Sequence, residues 1–396
     1  MIWAISPILA YGTIYRVLAI LCSLVWLFIE AFRPNNIFNN ASIFTISVVF
    51  FLIFKILMKI LVPDQFSFLA DFQLYIFFLF ALMGESLRKR SQAGVGPILL
   101  VVMVLMPIWM TTTLTALSTM IGDNGATVTR VLAKSSEEAE GLTELGVGGY
   151  GMVYFLVMYI PCMIFLFRNR RLFNFEESWK RKAVTYLTAL NILLGIWTVY
   201  KADYVFAIFM TLISLMLTFF YNVKSLKRRI LFFTVSSSLF LVLPLLLIKY
   251  ISELTAFFYG TSLHRKLVDI QLSLLSGQSE GTVGDRTERY IRSWNYFIEN
   301  PIFGTFKRDN LGKHSLILDI FAQYGFFIGI LLVFILSYIF LRYMKRSIYV
   351  SNIHITMCTM ILLISLLNNI GAIQGVVMFL VYPAILSQYM LKSIIK

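Results

Sequence analysis

The sequence predicts an all-α integral membrane protein with about eleven spanning helices, ten to twelve by the length rule, and two long extracytoplasmic loops. Three observations predict it. Of 396 residues, 59% are hydrophobic and only 14% charged, with 36 Phe among them, more apolar side chain than a soluble domain of this size hides. Apolar runs of about 20 residues recur along the chain, the length an α-helix needs to cross a bilayer and too long for barrel strands. Basic residues gather in alternate short loops, as cytoplasmic loops do.

Taken in order, the predicted spans lie at about 8–31, 41–62, 66–86, 96–120, 149–168, 183–200, 203–222, 230–251, 315–341, 352–368 and 372–391. Arg16 interrupts the first, and Lys55 and Lys59 in the second are expected to snorkel to the outer face. The basic loops carry Arg88, Lys89 and Arg90; Arg168 to Lys182; Lys224 to Arg229; and Arg342, Lys345 and Arg346, with Lys392 and Lys396 at the end. All fall on one side, which the positive-inside rule makes cytoplasmic. The net charge of +14 is this same excess and calls for no nucleic-acid partner. Cys22, Cys162 and Cys358 lie in apolar runs and suggest neither a disulfide framework nor a metal site. The N-terminus has no basic flank and no small-residue cleavage site, so no removable signal peptide is expected.

Two loops remain, at about 121–148 and 252–314, both facing outward and both longer than a mere connection. The chain from 1 to 396 is read as a single polytopic membrane domain that carries them. In the first loop, 128–140 is expected to be a short helix ended by the glycines around Gly146. In the second, 263–275 is apolar enough to lie in the membrane interface, and 276–284 is a flexible break. Asp285 and Glu288 are expected to cap a helix that runs to about Ile298 and is stopped by Pro301. On that helix Ile291, Trp294 and Ile298 share a face that should grip apolar surface. Arg286, Arg289 and Arg292 recur every third residue over a different sector. Asn300, Pro301 and Gly304 then turn the chain back toward the membrane.

The stretch from Gly281 to Gly329 holds the candidate chemistry. Guanidiniums at a membrane surface suit a diphosphate, which they bond bidentately while staying charged. The plainer alternative is that these arginines pair with Asp285, Glu288 and Asp309 or with lipid headgroups. His314 follows at the mouth of the next spanning helix, and histidine titrates near neutral pH, as a general base should. It could equally cap or pack that helix. Ser315, Asp319 and Gln323 form a polar stripe at i, i+4 and i+8, and such groups in a membrane helix face a cavity or another helix. Asp319 either orients a partner of the site or pairs with a buried base. No HExxH, CxxC pair, phosphate-binding glycine loop, nucleophile elbow or acidic pair for a metal stands in the sequence. The expectation is therefore chemistry without metal or cofactor on a pre-activated substrate.

An arginine-bearing helix ending in Trp294 and Glu299-Asn300-Pro301-Ile302-Phe303-Gly304, followed by His314-Ser315 and Gln323-Tyr324-Gly325, resembles the O-antigen polymerase and O-antigen ligase superfamily. The likeness covers about 50 residues and extends to span number and a large outward loop before the last helices. Ser315 stands where the family usually has asparagine, and Gly329 comes one residue after the family's second glycine position, held here by Ile328.

The resemblance implies a Wzy-type polysaccharide polymerase in the bacterial cytoplasmic membrane with its site facing the periplasm. Such an enzyme moves a growing glycan from undecaprenyl diphosphate onto the next lipid-linked repeat unit, building a surface polysaccharide of the O-antigen or capsule type. It implies His314 as activator of the acceptor hydroxyl and Arg286, Arg289 or Arg292 as diphosphate ligands, with Asp319, Gln323 and Glu288 in support. Arg130 joins the arginines through an Arg-x10-Gly pattern with Gly141, which Arg292 and Gly304 miss by one residue. The implied partners are undecaprenyl-diphosphate-linked oligosaccharide, membrane lipids, a chain-length regulator and a flippase. Two other readings stay open: a ligase that uses lipid A-core as acceptor, and a lipid-linked-oligosaccharide flippase. A transporter of the second kind would favour inverted repeats, broken helices and short outer loops.

Overall fold

The structure is a computed structural model. It describes residues 1–39, 41–61, 68–89, 95–119, 137–169, 178–202, 204–220, 249–257, 259, 264, 267–268, 271–272, 281–306, 311–344 and 351–386. Among these it is all-α, without a strand. Among the described residues, five helices are long and apolar enough to cross a bilayer: Ile14–Ala31, Pro97–Thr119, Tyr150–Arg168, Trp179–Lys201 and Leu316–Tyr338. Five shorter apolar helices accompany them, at Ile43–Met58, Phe72–Leu87, Phe206–Phe219, Ile353–Leu367 and Ala372–Leu386. The protein is a multi-pass membrane protein.

The chain forms two compact units. The first comprises Met1–Ser214, Val333–Ile364 and Ile370–Lys396. It opens with α1 (Ile2–Ile5) and α2 (Pro7–Tyr11) before α3 (Thr13–Ala31). The expected 8–31 span is thus broken near its start. Ser6 Oγ accepts from Leu9 N and Pro7 stands at the first helical position, so α2 is capped as a separate helix. Arg16 Nε donates to Ala10 O at 3.2 Å, which answers the charge locally.

Next come α4 (Ile43–Leu61), α5 (Phe68–Lys89) and α6 (Val95–Thr119). Lys55 does not snorkel; it is 3% exposed, because its side chain lies on the face of α4 that packs inward with Phe51 and Val48 rather than near a helix end. Of the expected helix at 128–140, residues 128–136 lie outside the described set; the helix α7 (Glu137–Glu144) continues past 140, and Gly146, at φ +82°, ends it. Leu142 and Val147 of this loop bury against Leu117 of α6.

The centre of this unit is α8 (Tyr150–Arg168), buried from Met152 to Leu166. It packs against α9 (Ser178–Lys201), which begins before the expected Ala183. Asn191 of α9 ties three helices: its Nδ2 donates to Met103 O at 2.9 Å and its Oδ1 accepts from Tyr159 OH at 3.0 Å. Satisfying such a group inside an apolar core is what makes its burial tolerable. The helix α10 (Val205–Phe220) follows. The expected span at 230–251 lies outside the described residues except for its last three.

The second unit comprises Leu215–Leu332 and Ser365–Asn369. It holds α11 (Ile251–Phe257), α12 (Gly281–Glu299) and the start of α13 (Leu316–Met344). The end of α14 (Ser351–Leu367) also belongs to it. The expected interfacial segment 263–275 lies mostly outside the described residues. The chain closes in the first unit with α15 (Ala372–Gly375), which runs on as a buried π-helical turn, Val376–Val381.

Candidate functional site

The candidate residues that the structure describes fall within the second unit. The helix α12 already includes residues 281–284, part of the expected flexible break, so Asp285 lies inside it rather than at its cap. Glycine is a weak helix former, but the amphipathic pattern that follows draws Gly281 and Gly284 into the helix. Among the described residues, the protein itself does not cover the apolar row of this helix. Ile291, Trp294 and Ile298 are exposed, whereas Ser293 is 1% exposed. Phe297 meets the Phe321 ring edge-on at 5.3 Å, and Tyr290 OH donates to Leu367 O at 2.7 Å. The helix therefore docks through hydrogen bonds and aromatic edges, not through its most apolar row.

After α12 the chain turns and lies against α13. Gly304, at φ +73°, brings its Cα so close that a Cβ would stand 2.5 Å from the backbone of Gln323 and Tyr324. Gly325, at φ 74° and ψ −172°, breaks α13 at the point of contact. The break frees carbonyls that a continuous helix would use. The turn takes them: Thr305 N donates to Ala322 O at 3.0 Å and Phe306 N to Gln323 O at 2.9 Å. Phe326 N in return donates to Pro301 O at 2.8 Å. The Asn300–Gly304 turn and the Gln323–Gly325 segment are thus two halves of one backbone joint.

His314 is half-buried, two residues before α13. Its neighbours fix it. Lys313 holds a left-handed φ of 57°, which disfavours a side chain by roughly 1–2 kcal/mol, and its carbonyl accepts from Asn369 Nδ2 at 2.8 Å. Leu316 N donates to Asn368 O at 3.2 Å. Ser315 Oγ accepts from Leu318 N at 3.1 Å and donates to Ser365 O at 3.5 Å. Ser315 is therefore the N-cap of α13, a place that asparagine fills equally well.

Asp319 has a partner that the sequence did not reveal. Ser293 Oγ donates to Asp319 Oδ1 at 2.6 Å and accepts from Gly312 N at 3.0 Å. A Cβ on Gly312 would stand 2.2 Å from Arg289 O. Gly312 is two residues from His314, at most about 7 Å along the chain. The serine bridge thus brings the arginine helix and the histidine bend together. We expect Ser293→Ala to lower stability by about 1–3 kcal/mol, since it removes the buried hydroxyl that bridges Gly312 N to Asp319. Chemical unfolding in detergent checks this.

The remaining candidates divide. Arg289 and Arg292 are exposed on α12. Arg292 pairs with Glu288 at 3.2 Å, with the two side chains 47% and 72% exposed, a contact so open that it holds Arg292 only weakly. The backbone of Arg286 belongs to α12, but its side chain lies outside the described set, as does all of Arg130. A Cβ at Gly141 would meet nothing within 4 Å, so the Arg-x10-Gly glycine answers no steric need. Gln323 is 4% exposed, and its Nε2 has no hydrogen-bond partner among the described residues, a donor available to a bound oxygen.

Sequence reasoning missed Ser293, Asn368, Asn369 and Ser365. Only Ser293 left a trace: it falls on the same helix side as Tyr290 and Phe297, opposite the exposed row. Comparison with protein-family models, with curated proteins and with solved structures finds no match.

Proposed function

We propose that this protein is a membrane glycosyltransferase that extends a surface polysaccharide by moving a glycan from undecaprenyl diphosphate onto a lipid-linked repeat unit. The observation that carries the reading is a histidine whose chain neighbours are clasped at a helix mouth, one short bend away from the helix that exposes Arg289 and Arg292. The acceptor hydroxyl gives its proton to His314 as its oxygen bonds the anomeric carbon. The bond from that carbon to the diphosphate oxygen breaks, and the electron pair leaves with undecaprenyl diphosphate. Arg289 and Arg292, with Arg286 on the same helix, meet the charge that develops there. Arg130 is a further candidate for that role. Gln323 can bond a sugar or phosphate oxygen through its amide donor, and Asp319 positions the histidine bend through Ser293.

In this reading the site faces the periplasm from the cytoplasmic membrane of a bacterium, the chain crosses the membrane about eleven times, and the basic loops stay inside. Cysteine at position 281 should react with an impermeant thiol reagent in cells stripped of any outer barrier, and cysteine at position 181 only after lysis. The reverse pattern would overturn this orientation.

Arg289→Ala should weaken carrier binding more than Arg289→Lys, because lysine keeps the charge but loses the planar fork. Replacing Arg286, Arg289 and Arg292 together by alanine should abolish turnover. A folded triple variant that polymerises at the normal rate would place diphosphate binding elsewhere. For the activity itself, purified protein given one lipid-linked repeat unit should yield a ladder of polymer. Starting material left unchanged by folded protein would refute the proposal, and product formed only with lipid A-core present would make the enzyme a ligase.

A further inference from the structure

The exposed apolar row on α12 does not end with the helix. Ile291, Trp294 and Ile298 are 53%, 49% and 57% exposed, and the turn continues the row with Ile302 at 54% and Phe303 at 70%. The turn is fixed to α13: Phe326 N donates to Pro301 O, and Gly325 lies against the backbone of Ile302 and Phe303. Phe326 and Phe327, 47% and 67% exposed, open the second half of α13 beside it. A patch this large is not left in water on a soluble surface.

The break in α13 says where the patch stands. From Phe326 the sequence is apolar up to Arg342. Counting back from Arg342 by the roughly 20 residues that a hydrocarbon core requires reaches the neighbourhood of Ala322 and Gly325. The far edge of the hydrocarbon thus falls at the helix break, at the level of the docked turn. Trp294 lies in the row, and tryptophan favours the membrane–water interface. Arg289 and Arg292 are exposed on the same helix, as on helices that lie in the headgroup plane.

We infer that the apolar edge of α12 and the Pro301–Phe303 turn are seated in the lipid bilayer itself, at the hydrocarbon boundary marked by Gly325. The occupant is bulk lipid, met continuously with the lipid-facing start of the span at Phe326. The segment Leu316–Tyr324 then stands outside the hydrocarbon and carries His314, beyond a two-residue bend, at most about 20 Å from its edge, within the headgroup and adjoining water. The seating is independent of which reaction the site performs.

The test uses full-length protein with Cys22, Cys162 and Cys358 replaced by serine, reconstituted in phosphatidylethanolamine–phosphatidylglycerol vesicles. A nitroxide is attached at Ile298→Cys, Ile302→Cys or, as an aqueous control, Glu288→Cys. At 298 and 302 collisions with oxygen, which concentrates in hydrocarbon, should exceed those with a water-soluble nickel chelate several-fold, and at 288 the order should reverse. Chelate-dominated collisions at 298 and 302 would overturn the inference. So would low collision with both reagents, which would mean that a second copy or another protein covers the row. Should a label disturb folding, brominated lipid provides a second reading. It should quench the fluorescence component that the wild type has and Trp294→Phe lacks, and an unquenched component would equally refute the seating.

Discussion

His314→Ala should leave the protein inserted and able to bind carrier, yet slow glycosyl transfer by about 10²–10⁴-fold, the usual contribution of a positioned general base. The local geometry makes this variant informative. The histidine bend is held through Lys313 to Asn369, through Ser315 to Ser365 and through Leu316 to Asn368, none of which uses the imidazole. Removing the ring therefore leaves the clasps in place, and lost activity reports on chemistry rather than on a collapsed loop. His314→Gln keeps a hydrogen-bonding group without the basicity and should fail as well. Near-normal activity in the Gln variant would leave His314 only a positioning role and shift the base to Asp319 or Glu288. Both carboxylates already have partners, Ser293 and Arg292, so either would first have to be released.

Gly325→Ala should be the most destabilising single substitution in the second unit. At φ 74° and ψ −172° the backbone occupies a region essentially reserved for glycine, with a strain of order 1–3 kcal/mol for other residues. The new Cβ would also stand 2.1 Å from Ile302 O, an overlap that backbone atoms relieve only by moving, at about 1–3 kcal/mol more. The expected sum is roughly 2–6 kcal/mol, read as a lower denaturation midpoint in detergent together with faster proteolysis near Phe303. Gly304→Ala should behave similarly, because the two glycines form the same joint. Gly141→Ala is the control, expected to stay within about 0.5 kcal/mol of wild type, since nothing lies within 4 Å of its Cβ position. Equal stability of the Gly325 and Gly141 variants would show that the joint does not hold α13.

The apolar helices were legible because hydrophobicity over about 20 residues is a property of the sequence alone, and most predicted segments coincide with helices among the described residues. The break at Gly325 was not, since a hydropathy window passes over one glycine in an otherwise apolar run. The Asn300-Pro301 turn could be read from residue types, but its docking partner lies some twenty residues away, and pairing at that distance is a tertiary fact. The same holds for Ser293, whose small hydroxyl gains its meaning from Asp319 and Gly312. For α12 the sequence marks which residues are apolar but not whether protein or lipid receives them. In a membrane protein that is the harder half of the question. Lys55 went wrong for this reason: snorkelling is the expectation for a lysine on a lipid-facing side, and its side turned out to face the protein.

One count separates bond-making at the second unit from a transporter that merely moves lipid-linked glycan. Purified protein in vesicles is given a lipid-linked repeat unit, and undecaprenyl diphosphate and new glycosidic bonds are measured together. The account predicts one diphosphate released for each bond formed, with both lost in His314→Gln. Repeat units that cross the vesicle membrane intact, with no diphosphate released, would contradict it.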